Sequence, residues 1–247
     1  MSGIGPKELD IRRSAFAQGG ILFDANSLPQ AVPAMLEPDH WPGAVPLDGR
    51  GGRGVPWLVR GDFGEAVLRH YRRGGLVGRV ISDHYLYSGQ ARVRSLREFE
   101  LLAQLWRKGL PVPRPLLAGW QRSGLHYRAD LMTLRVPHAR TMAESLAAGV
   151  PSPWAEIGRT IARFHQAGVF HADLNAHNVM VDADDKVWLI DFDRGRLRVP
   201  SQDWQRANLR RLRRSLDKLG GVAACDWQAL ETAYLESIAR HVREQSA

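Results

Sequence analysis

FHADLNAHNVMVDADDKVWLIDFD (residues 170–193) carries the strongest signals of fold and function in this sequence. Two short β-rich runs, VMVD and VWLID, are separated by ADDK, which is typical of a hairpin turn. The preceding residues, HADLNAHN, follow a helix that the apolar spacing predicts over 153–168 and that Gly168 stops. They therefore form a loop held between two rigid elements, and such loops are common places for chemistry.

Three side chains of this stretch, Asp173, Asn178 and Asp191, suit phosphoryl transfer. That reaction needs in-line positioning, neutralisation of phosphate charge and a carboxylate that accepts the hydroxyl proton. Asp173 would face the attacking hydroxyl. Asn178 and Asp191 would offer oxygen ligands to Mg²⁺, a hard cation that takes few protein oxygens and completes its shell with water and phosphate.

Two other interpretations of this loop are open. Asp173, Asn178 and Asp191 could be ordinary turn-stabilising residues, although their joint order and spacing favour a site. His171, Asp173 and His177 could bind zinc, although no further Cys or His nearby completes that ligand set convincingly. We expect a structural role for His171 and an exposed loop position for His177.

Strand signals dominate the first half of the chain. GILFD (20–24), two segments near 56–60 and 66–71, LLAGWQ and YRADLMTLRV are predicted strands. Between them, SLREFELLAQLWRKGL has apolar residues at helical spacing and is ended by PVPRP. The tail from 202 to 244 has helical periodicity. This order predicts an α+β fold of two unequal lobes, a β-rich N-terminal lobe (1–135) with one helix and a mostly helical, shortened C-terminal lobe (136–247).

A glycine-rich turn, GRGGRG (49–54), precedes the predicted strand pair. Glycine lets backbone N–H groups come close to phosphates, although most glycine-rich turns are only turns. The two strands that follow it, together with the later Asp and Asn residues, favour a phosphate-binding loop here.

The motifs of the protein-kinase fold resemble these stretches. HADLNAHN is similar to H-R-D-L-x-x-x-N, with Ala172 in place of the Arg; DFD (191–193) resembles D-F-G, and GRGGRG fits G-x-G-x-x-G. Longer runs, including VLRHYRRGGLVGR and REFELLAQLWRKGLPVPRPL, are similar to the bacterial kinases that phosphorylate lipopolysaccharide inner-core sugars. Among these, the similarity is greatest to those acting on 3-deoxy-D-manno-octulosonic acid (Kdo), and it covers about residues 20–217.

The resemblance implies a two-lobed, protein-kinase-like fold with ATP and Mg²⁺ as cofactors. By position it makes Asp173 the catalytic base and Asn178 and Asp191 the metal ligands. It also implies that nucleotide-binding residues lie in the N-terminal lobe, namely Gly49, Gly51, Gly54, Arg69 and Glu98. Arg69 falls where the fold usually has Lys, and Glu98 is its expected helix partner; Arg stays charged and binds phosphate through two parallel hydrogen bonds.

Other departures from the kinase pattern bear on the acceptor. Asp193 replaces the glycine of D-F-G, and Pro56 stands where the glycine loop usually has its valine. No A-P-E follows, and the chain is too short for an activation segment and a full peptide-binding lobe. The shortened tail therefore argues against a protein substrate and for a sugar or lipid-sugar acceptor. The resemblance implies that this acceptor is the 4-hydroxyl of Kdo on a lipid A precursor.

Charge and composition bound the partners. The chain has 34 Lys and Arg against 26 Asp and Glu, a net charge of +8, and nearly all the cations are Arg. Such a surface suits nucleic acid, an anionic lipid surface or a phosphorylated substrate. A single cysteine, Cys225, suits a reducing compartment. The first residues lack the apolar core of a signal peptide, and no apolar run approaches the roughly 18 to 20 residues that span a bilayer.

These features predict a protein made in the cytoplasm, and the resemblance implies a peripheral position on the cytoplasmic face of the inner membrane. In the helix predicted from WQRANLRRLRRSLDKL, the leucines form an apolar stripe (Leu209, Leu212, Leu216, Leu219) and the arginines form a cationic stripe at a spacing of four (Arg206, Arg210, Arg214). The cationic stripe is either a solvated face or a patch that contacts an anionic membrane or substrate phosphates. Arg72, Arg73 and Arg79 are open to the same two interpretations.

Three alternatives to the Kdo kinase interpretation are open. A heptose kinase of the same core would share the loop and metal residues, and another small-molecule kinase of the same fold is the related alternative. A non-catalytic binding module would keep the fold, but the retained Asp173, Asn178 and Asp191 argue against it. Binding of nucleic acid through the Arg-rich helix would lack aromatic stacking between the cations, so we expect no nucleic-acid partner.

Overall fold

The computed structural model describes residues 8–47, 55–71 and 85–245. The chain divides into two compact units, one formed by Met1–Gly109 with Pro113–Arg135 and the other by Leu110–Val112 with Val136–Ala247. The short Leu110–Val112 segment, which follows the long helix of the first unit, therefore belongs to the second unit. The lobes predicted from the sequence, 1–135 and 136–247, stay a prediction.

The first unit is built on an antiparallel sheet of eight strands. Its order is β1-β2-β7-β8-β5-β4-β3, and β6 also pairs with β8. The strands are β1 (Ile11–Phe16), β2 (Gly19–Asp24), β3 (Val45–Pro46), β4 (Trp57–Gly61), β5 (Gly64–His70), β6 (Tyr85–Leu86), β7 (Pro115–Ser123) and β8 (His126–Leu134). The predicted strands at 20–24, 56–60, 66–71 and in the two later runs are confirmed.

Two short strands near the N-terminus, β1 and β3, were not expected, because GILFD was the one strand predicted before residue 45. Strand β1 (IRRSAF) has no buried residue, so it lacks the apolar signal of a core strand. It is fixed by pairing with β2, from Ile11 opposite Asp24 to Phe16 opposite Gly19. The prolines of this region start two 3₁₀ turns, Pro33–Leu36 and Pro38–His40, as suits a residue with a fixed φ.

One helix, α1 (Arg94–Arg107), packs against β7 and β8 of this sheet. The predicted apolar face is confirmed, since all five of its residues are buried: Leu96, Phe99, Leu102, Leu105 and Trp106. Glu98 is buried on the same helix at 2% exposure. A carboxylate at that depth needs charged or hydrogen-bonding partners, and their identity is part of the candidate site.

The second unit is mostly helical. Its helices are α2 (Met142–Ala147), α3 (Trp154–Gln166), α4 (Gln202–Lys218) and α5 (Ala224–Gln245), and its short strands are β9 (Arg140–Thr141), β10 (Val169–Phe170), β11 (Val179–Val181), β12 (Val187–Leu189) and β13 (Arg196–Leu197). The predicted hairpin is confirmed, because β11 and β12 pair antiparallel with Val179 opposite Leu189. Among the described residues, none of the helices combines the length and the hydropathy of a membrane span.

Two glycines set the packing of α3. At Gly158 a Cβ would lie 2.1 Å from the carbonyl oxygen of Leu230, so only glycine lets α3 and α5 approach this closely. Gly168 ends the helix with a φ of 75°, a left-handed conformation that glycine adopts freely. The predicted stop at Gly168 is therefore confirmed, and the chain turns directly into β10 and the polar loop.

Candidate active site

The loop from His171 to Asn178 is closed by its own hydrogen bonds. The side-chain amide of Asn178 donates to the carbonyl oxygen of Asp173 at 2.9 Å, and the Asn175 amide donates to the same oxygen at 3.1 Å. The Asn175 carboxamide oxygen in turn accepts from the His177 N–H at 2.8 Å. Asx-type contacts of this kind fix a tight turn without regular secondary structure.

His171 joins this loop to the chain that follows the hairpin. Its Nδ1 accepts from the Asp173 N–H at 3.2 Å, so its proton is on Nε2, which donates to the Ile190 carbonyl oxygen at 2.9 Å. Burial lowers the pKa of His171 below its ordinary value, which keeps the ring neutral and this tautomer in place. Both ring nitrogens are therefore used in a structural role, and neither has a lone pair to offer zinc.

Asp173 is the exposed carboxylate of the loop. Its side chain is 64% exposed, and its Oδ1 lies 3.3 Å from Nη1 of Arg211 on α4. An exposed ion pair at this distance adds little stability. It does orient the carboxylate while leaving it open to a hydroxyl group, which is the position that a general base requires.

Asn178 and Asp191 lie at the same end of the hairpin. The Ile190 N–H donates to the Asn178 carbonyl oxygen at 3.1 Å, one step beyond the last pair of the β11–β12 ladder, and Asp191 follows at once. Asp191 has a left-handed φ of 61°, which is uncommon outside glycine and frequent at functional sites. No described residue donates a hydrogen bond to the side-chain oxygen of Asn178.

One amide oxygen and one carboxylate are hard oxygen donors that fit Mg²⁺. Within the described ranges no group of three or more His, Cys, Asp or Glu side chains could hold a metal ion, so the zinc alternative gains no support there. A magnesium site of the predicted kind needs no such group, because the metal would take its remaining ligands from phosphate oxygens and water.

Phe192, between Asp191 and Asp193, anchors the segment in the core. It is 1% exposed, stacks on Phe164 of α3 at a centroid distance of 6.0 Å, and contacts the His171 ring at 4.7 Å. The Gly195 N–H donates to the Phe192 carbonyl oxygen at 2.8 Å, closing a turn directly after it. The buried ring fixes the backbone on which Asp191 stands.

The first unit contains the predicted phosphate-binding pair. Nη2 of Arg69, on β5, donates to both carboxylate oxygens of Glu98, on α1, at 2.8 and 2.7 Å. The hydroxyl of Tyr71 donates to the same carboxylate, and the Glu98 side chain is only 1% exposed. A strand cation fixed by a helix glutamate is the arrangement that holds the α and β phosphates in the protein-kinase fold. The phosphate-binding role itself stays a prediction.

Several predicted residues lie outside the described ranges. These are the glycines of the predicted phosphate loop, Gly49, Gly51 and Gly54, and the basic residues Arg72, Arg73 and Arg79.

Helix α4 supplies contacts that the sequence did not predict. The Asn208 side chain, 2% exposed, donates to the His171 carbonyl oxygen at 3.0 Å. The Ser215 hydroxyl accepts from the Ala176 N–H at 3.0 Å. With Arg211, these side chains recur along one face of the helix and hold the loop at three points. Asn and Ser inside a helix are a weak signal, because each favours caps and turns when it has no partner.

The two predicted stripes of α4 are corrected by the structure. Leu209, Leu212 and Leu216 are buried as expected, but Leu219 is 41% exposed, so its place in the apolar stripe was wrong. The cationic stripe divides, because Arg206 and Arg210 line one pocket and Arg214 lines another, together with Asp173. A helix turns by 3.6 residues, so a spacing of four drifts slowly around its surface.

The sequence profile of the lipopolysaccharide kinase (Kdo/WaaP) family matches residues 44–234. The chain belongs to this family. The α+β, protein-kinase-like fold class and the family predicted from the motifs are thereby confirmed. As a member of the lipopolysaccharide kinase family, the protein is a phosphotransferase with a hydroxyl group as acceptor.

Relatives of known name within the family cover nearly the whole chain. A 3-deoxy-D-manno-octulosonic acid kinase of Stenotrophomonas maltophilia (strain K279a) is 47% identical over 222 residues, 87% of this chain and 89% of that protein. A protein of the same name from Xanthomonas campestris pv. campestris (strain B100) is 50% identical over 211 residues, 85% of this chain and 84% of that protein. A third, from Xanthomonas oryzae pv. oryzae (strain PXO99A), is 46% identical over 229 residues, 90% of this chain and 92% of that protein.

Proposed function

We propose that this lipopolysaccharide kinase transfers the γ-phosphate of ATP to a hydroxyl group of Kdo, at O-4, on a Kdo-bearing lipid A precursor. The observation that carries the proposal is the loop held by His171, which presents Asp173 to solvent beside the hairpin end that carries Asn178 and Asp191. Two of the relatives named 3-deoxy-D-manno-octulosonic acid kinase, which are about half identical to this chain, support Kdo as the acceptor.

Asp173 would act as the base. Its exposed carboxylate accepts the proton of the acceptor hydroxyl as the oxygen attacks the γ-phosphorus, and the bond to the β–γ bridging oxygen breaks to release ADP. Arg211 orients this carboxylate from α4. His171 and Asn178 hold the backbone of Asp173 from either side, through its N–H and its carbonyl oxygen respectively.

Asn178 and Asp191 would hold Mg²⁺, which when bound neutralises charge on the transferring phosphate. The Nδ2 hydrogen bond to Asp173 directs the Asn178 oxygen away from the loop backbone. Arg69 would hold the α and β phosphates of ATP, and the nearly buried Glu98 carboxylate fixes the guanidinium for that task. The predicted glycine loop, Gly49, Gly51 and Gly54, would bind the phosphates through backbone N–H groups.

We also propose that the protein sits peripherally on the cytoplasmic face of the inner membrane. Support comes from the net charge of +8 and from a groove between α4 and α5 that combines Arg206 and Arg210 with apolar residues, among them Trp227 and the 58% exposed Leu235. Each cation near an anionic surface contributes on the order of 1 kcal/mol. Arg206→Glu with Arg210→Glu should abolish low-salt binding to phosphatidylglycerol-containing vesicles. Unchanged vesicle binding by this variant would contradict membrane contact through the groove.

The acceptor is tested with labelled ATP and defined lipids. Purified protein should transfer ³²P from [γ-³²P]ATP to Kdo-bearing lipid IVA that contains no heptose, and the labelled position should map to O-4. Labelling only of heptose-containing acceptors would replace the proposal by a heptose kinase. The matched control is lipid IVA without Kdo, which should take up no label.

A further inference from the structure

A pocket of about 310 Å³ opens beside Asp173 within the second unit. Its walls come from two elements, the loop with Asp173 and His177 and the C-terminal half of α4 with Arg211, Arg214 and Lys218. A pocket of this size holds one small ligand, and the full range for ligand sites is roughly 300 to 1,000 Å³. Because the predicted base forms part of the wall, whatever occupies this pocket lies next to the carboxylate that accepts the proton.

The charge of the pocket is strongly positive. Arg211, Arg214 and Lys218 follow at spacings of three and four residues, so they project from one face of α4. Arg211 pairs with Asp173. No acidic side chain in the described ranges pairs with Arg214 or Lys218.

On the neighbouring face of α4, by contrast, the arginine has a charged partner. Arg213 is paired with Asp217 at 3.1 Å and lies over the Trp227 ring at 5.1 Å. Arg214 and Lys218, which line the pocket together with Arg211, form no ion pair with any described residue. Like charges three or four residues apart repel each other along a helix. A bound anion would relieve that repulsion and would find two donors on adjacent turns.

We infer that Arg214 and Lys218 bind a carboxylate of the acceptor sugar while its reacting hydroxyl faces Asp173. This inference rests on the proposed function, which supplies an acidic sugar as acceptor. In Kdo a single methylene separates the carbon that bears the carboxylate from the carbon that bears O-4. One ring can thus place an anion on α4 and a hydroxyl at the loop within the same small pocket. Asn175 and Ser215, which also line it, offer polar contacts to further hydroxyl groups.

The other sources of an anion are the γ-phosphate of ATP and a phosphate of the lipid. Kinetics separate the ATP phosphate, because a sugar carboxylate site controls the KM of the acceptor and leaves the KM of ATP unchanged. The lipid phosphate belongs to the acceptor and is separated by a second measurement, the binding of free Kdo, which carries no lipid. Arg214→Gln and Lys218→Gln each remove a charged hydrogen bond of about 1.5 to 3 kcal/mol, so each should raise the acceptor KM at least tenfold with kcat within about twofold. Arg159→Gln, on α3 and outside this pocket, removes an exposed arginine that pairs with Glu156 at 2.9 Å; it is the matched control and should change neither constant. A raised KM for ATP, or an unchanged acceptor KM, would overturn the inference.

A second measurement keeps the two proposals distinguishable. Isothermal calorimetry without ATP compares the binding of free Kdo with that of its C1 amide. The native chain should prefer the acid about tenfold or more, and the Arg214→Gln, Lys218→Gln double variant should show no preference. Equal binding of acid and amide to the native chain would overturn the pocket assignment even if phosphate transfer to Kdo is observed. Conversely, a preference for the acid without any phosphate transfer would uphold the pocket and reject the proposed function.

Discussion

Replacing His171 by leucine should break the connection between the loop with Asp173 and the segment with Ile190 and Asp191. The ring is 3% exposed, and the substitution removes both the acceptor for the Asp173 N–H and the donor to the Ile190 carbonyl oxygen. Each buried group left without its partner costs about 1 to 3 kcal/mol. Asp173 and Ile190 are not fully buried, so the lower part of that range applies to each of the two backbone groups. Together, the two unpaired groups should lower the free energy of unfolding by about 3 kcal/mol.

A loss of this size should lower the melting temperature by about 6 to 12 °C in a chain of this length. Displacement of Asp173 relative to Asp191 by about 1 Å should reduce kcat about 100-fold at a temperature where the variant stays folded. Urea denaturation and initial rates of phosphate transfer measure the two effects. His177→Leu, on the same loop but at an exposed side chain, is the stability control and should stay within about 0.5 kcal/mol of wild type. If His171→Leu matches this control in stability and keeps its kcat, His171 does not hold the Asp173 loop and the Asp191 segment together.

Three further predictions concern the supports of the site. Glu98→Gln removes the carboxylate that accepts hydrogen bonds from Arg69 and Tyr71. The substitution should lower the free energy of unfolding, measured by urea denaturation, by about 3 kcal/mol and raise the KM of ATP. An unchanged KM of ATP would show that the Arg69–Glu98 pair does not bind the nucleotide. Gly158→Ala should destabilise the protein by about 1 to 3 kcal/mol, because the added methyl group clashes with the Leu230 carbonyl. Helix propensity alone predicts the opposite, a gain in stability of about 1 kcal/mol. A variant more stable than wild type would therefore contradict the close approach of α3 and α5. Burial lowers the pKa of His165 to about 3, whereas the same side chain in the unfolded chain binds a proton below about pH 6.5. The free energy of unfolding should therefore fall by about 2 kcal/mol from pH 6.5 to pH 5. If His165→Gln shows the same pH slope as wild type, His165 is not the group that causes this dependence.

The elements that carry local signals could be predicted from the sequence. The hairpin of β11 and β12 follows from two β-rich runs around ADDK, and the end of α3 follows from Gly168, whose φ of 75° suits glycine. The buried face of α1 could also be predicted, because apolar residues recur at every third or fourth position of SLREFELLAQLW. These signals act over a few residues and need no knowledge of the rest of the chain.

The contacts that hold the site are long-range and leave only a weak local signal. Ser215 and Ala176 meet across 39 residues, and Asn208 and His171 across 37. The left-handed backbone of Asp191 is likewise imposed by the surrounding structure, since Asp adopts that conformation only occasionally. Strand β1 was missed for a related reason, because it has no buried residue and is fixed by its pairing with β2.

The rate of phosphate transfer by Asp173→Asn shows whether the Asp173 carboxylate is the base of the reaction. Since the Asp173 side chain is 64% exposed and its ion pair with Arg211 is 3.3 Å long, the substitution should change the free energy of unfolding by less than about 1 kcal/mol. Loss of the base should lower kcat by about 10² to 10⁴ with Kdo-bearing lipid IVA as acceptor. A folded Asp173→Asn protein that transfers phosphate at a rate close to wild type would contradict the account.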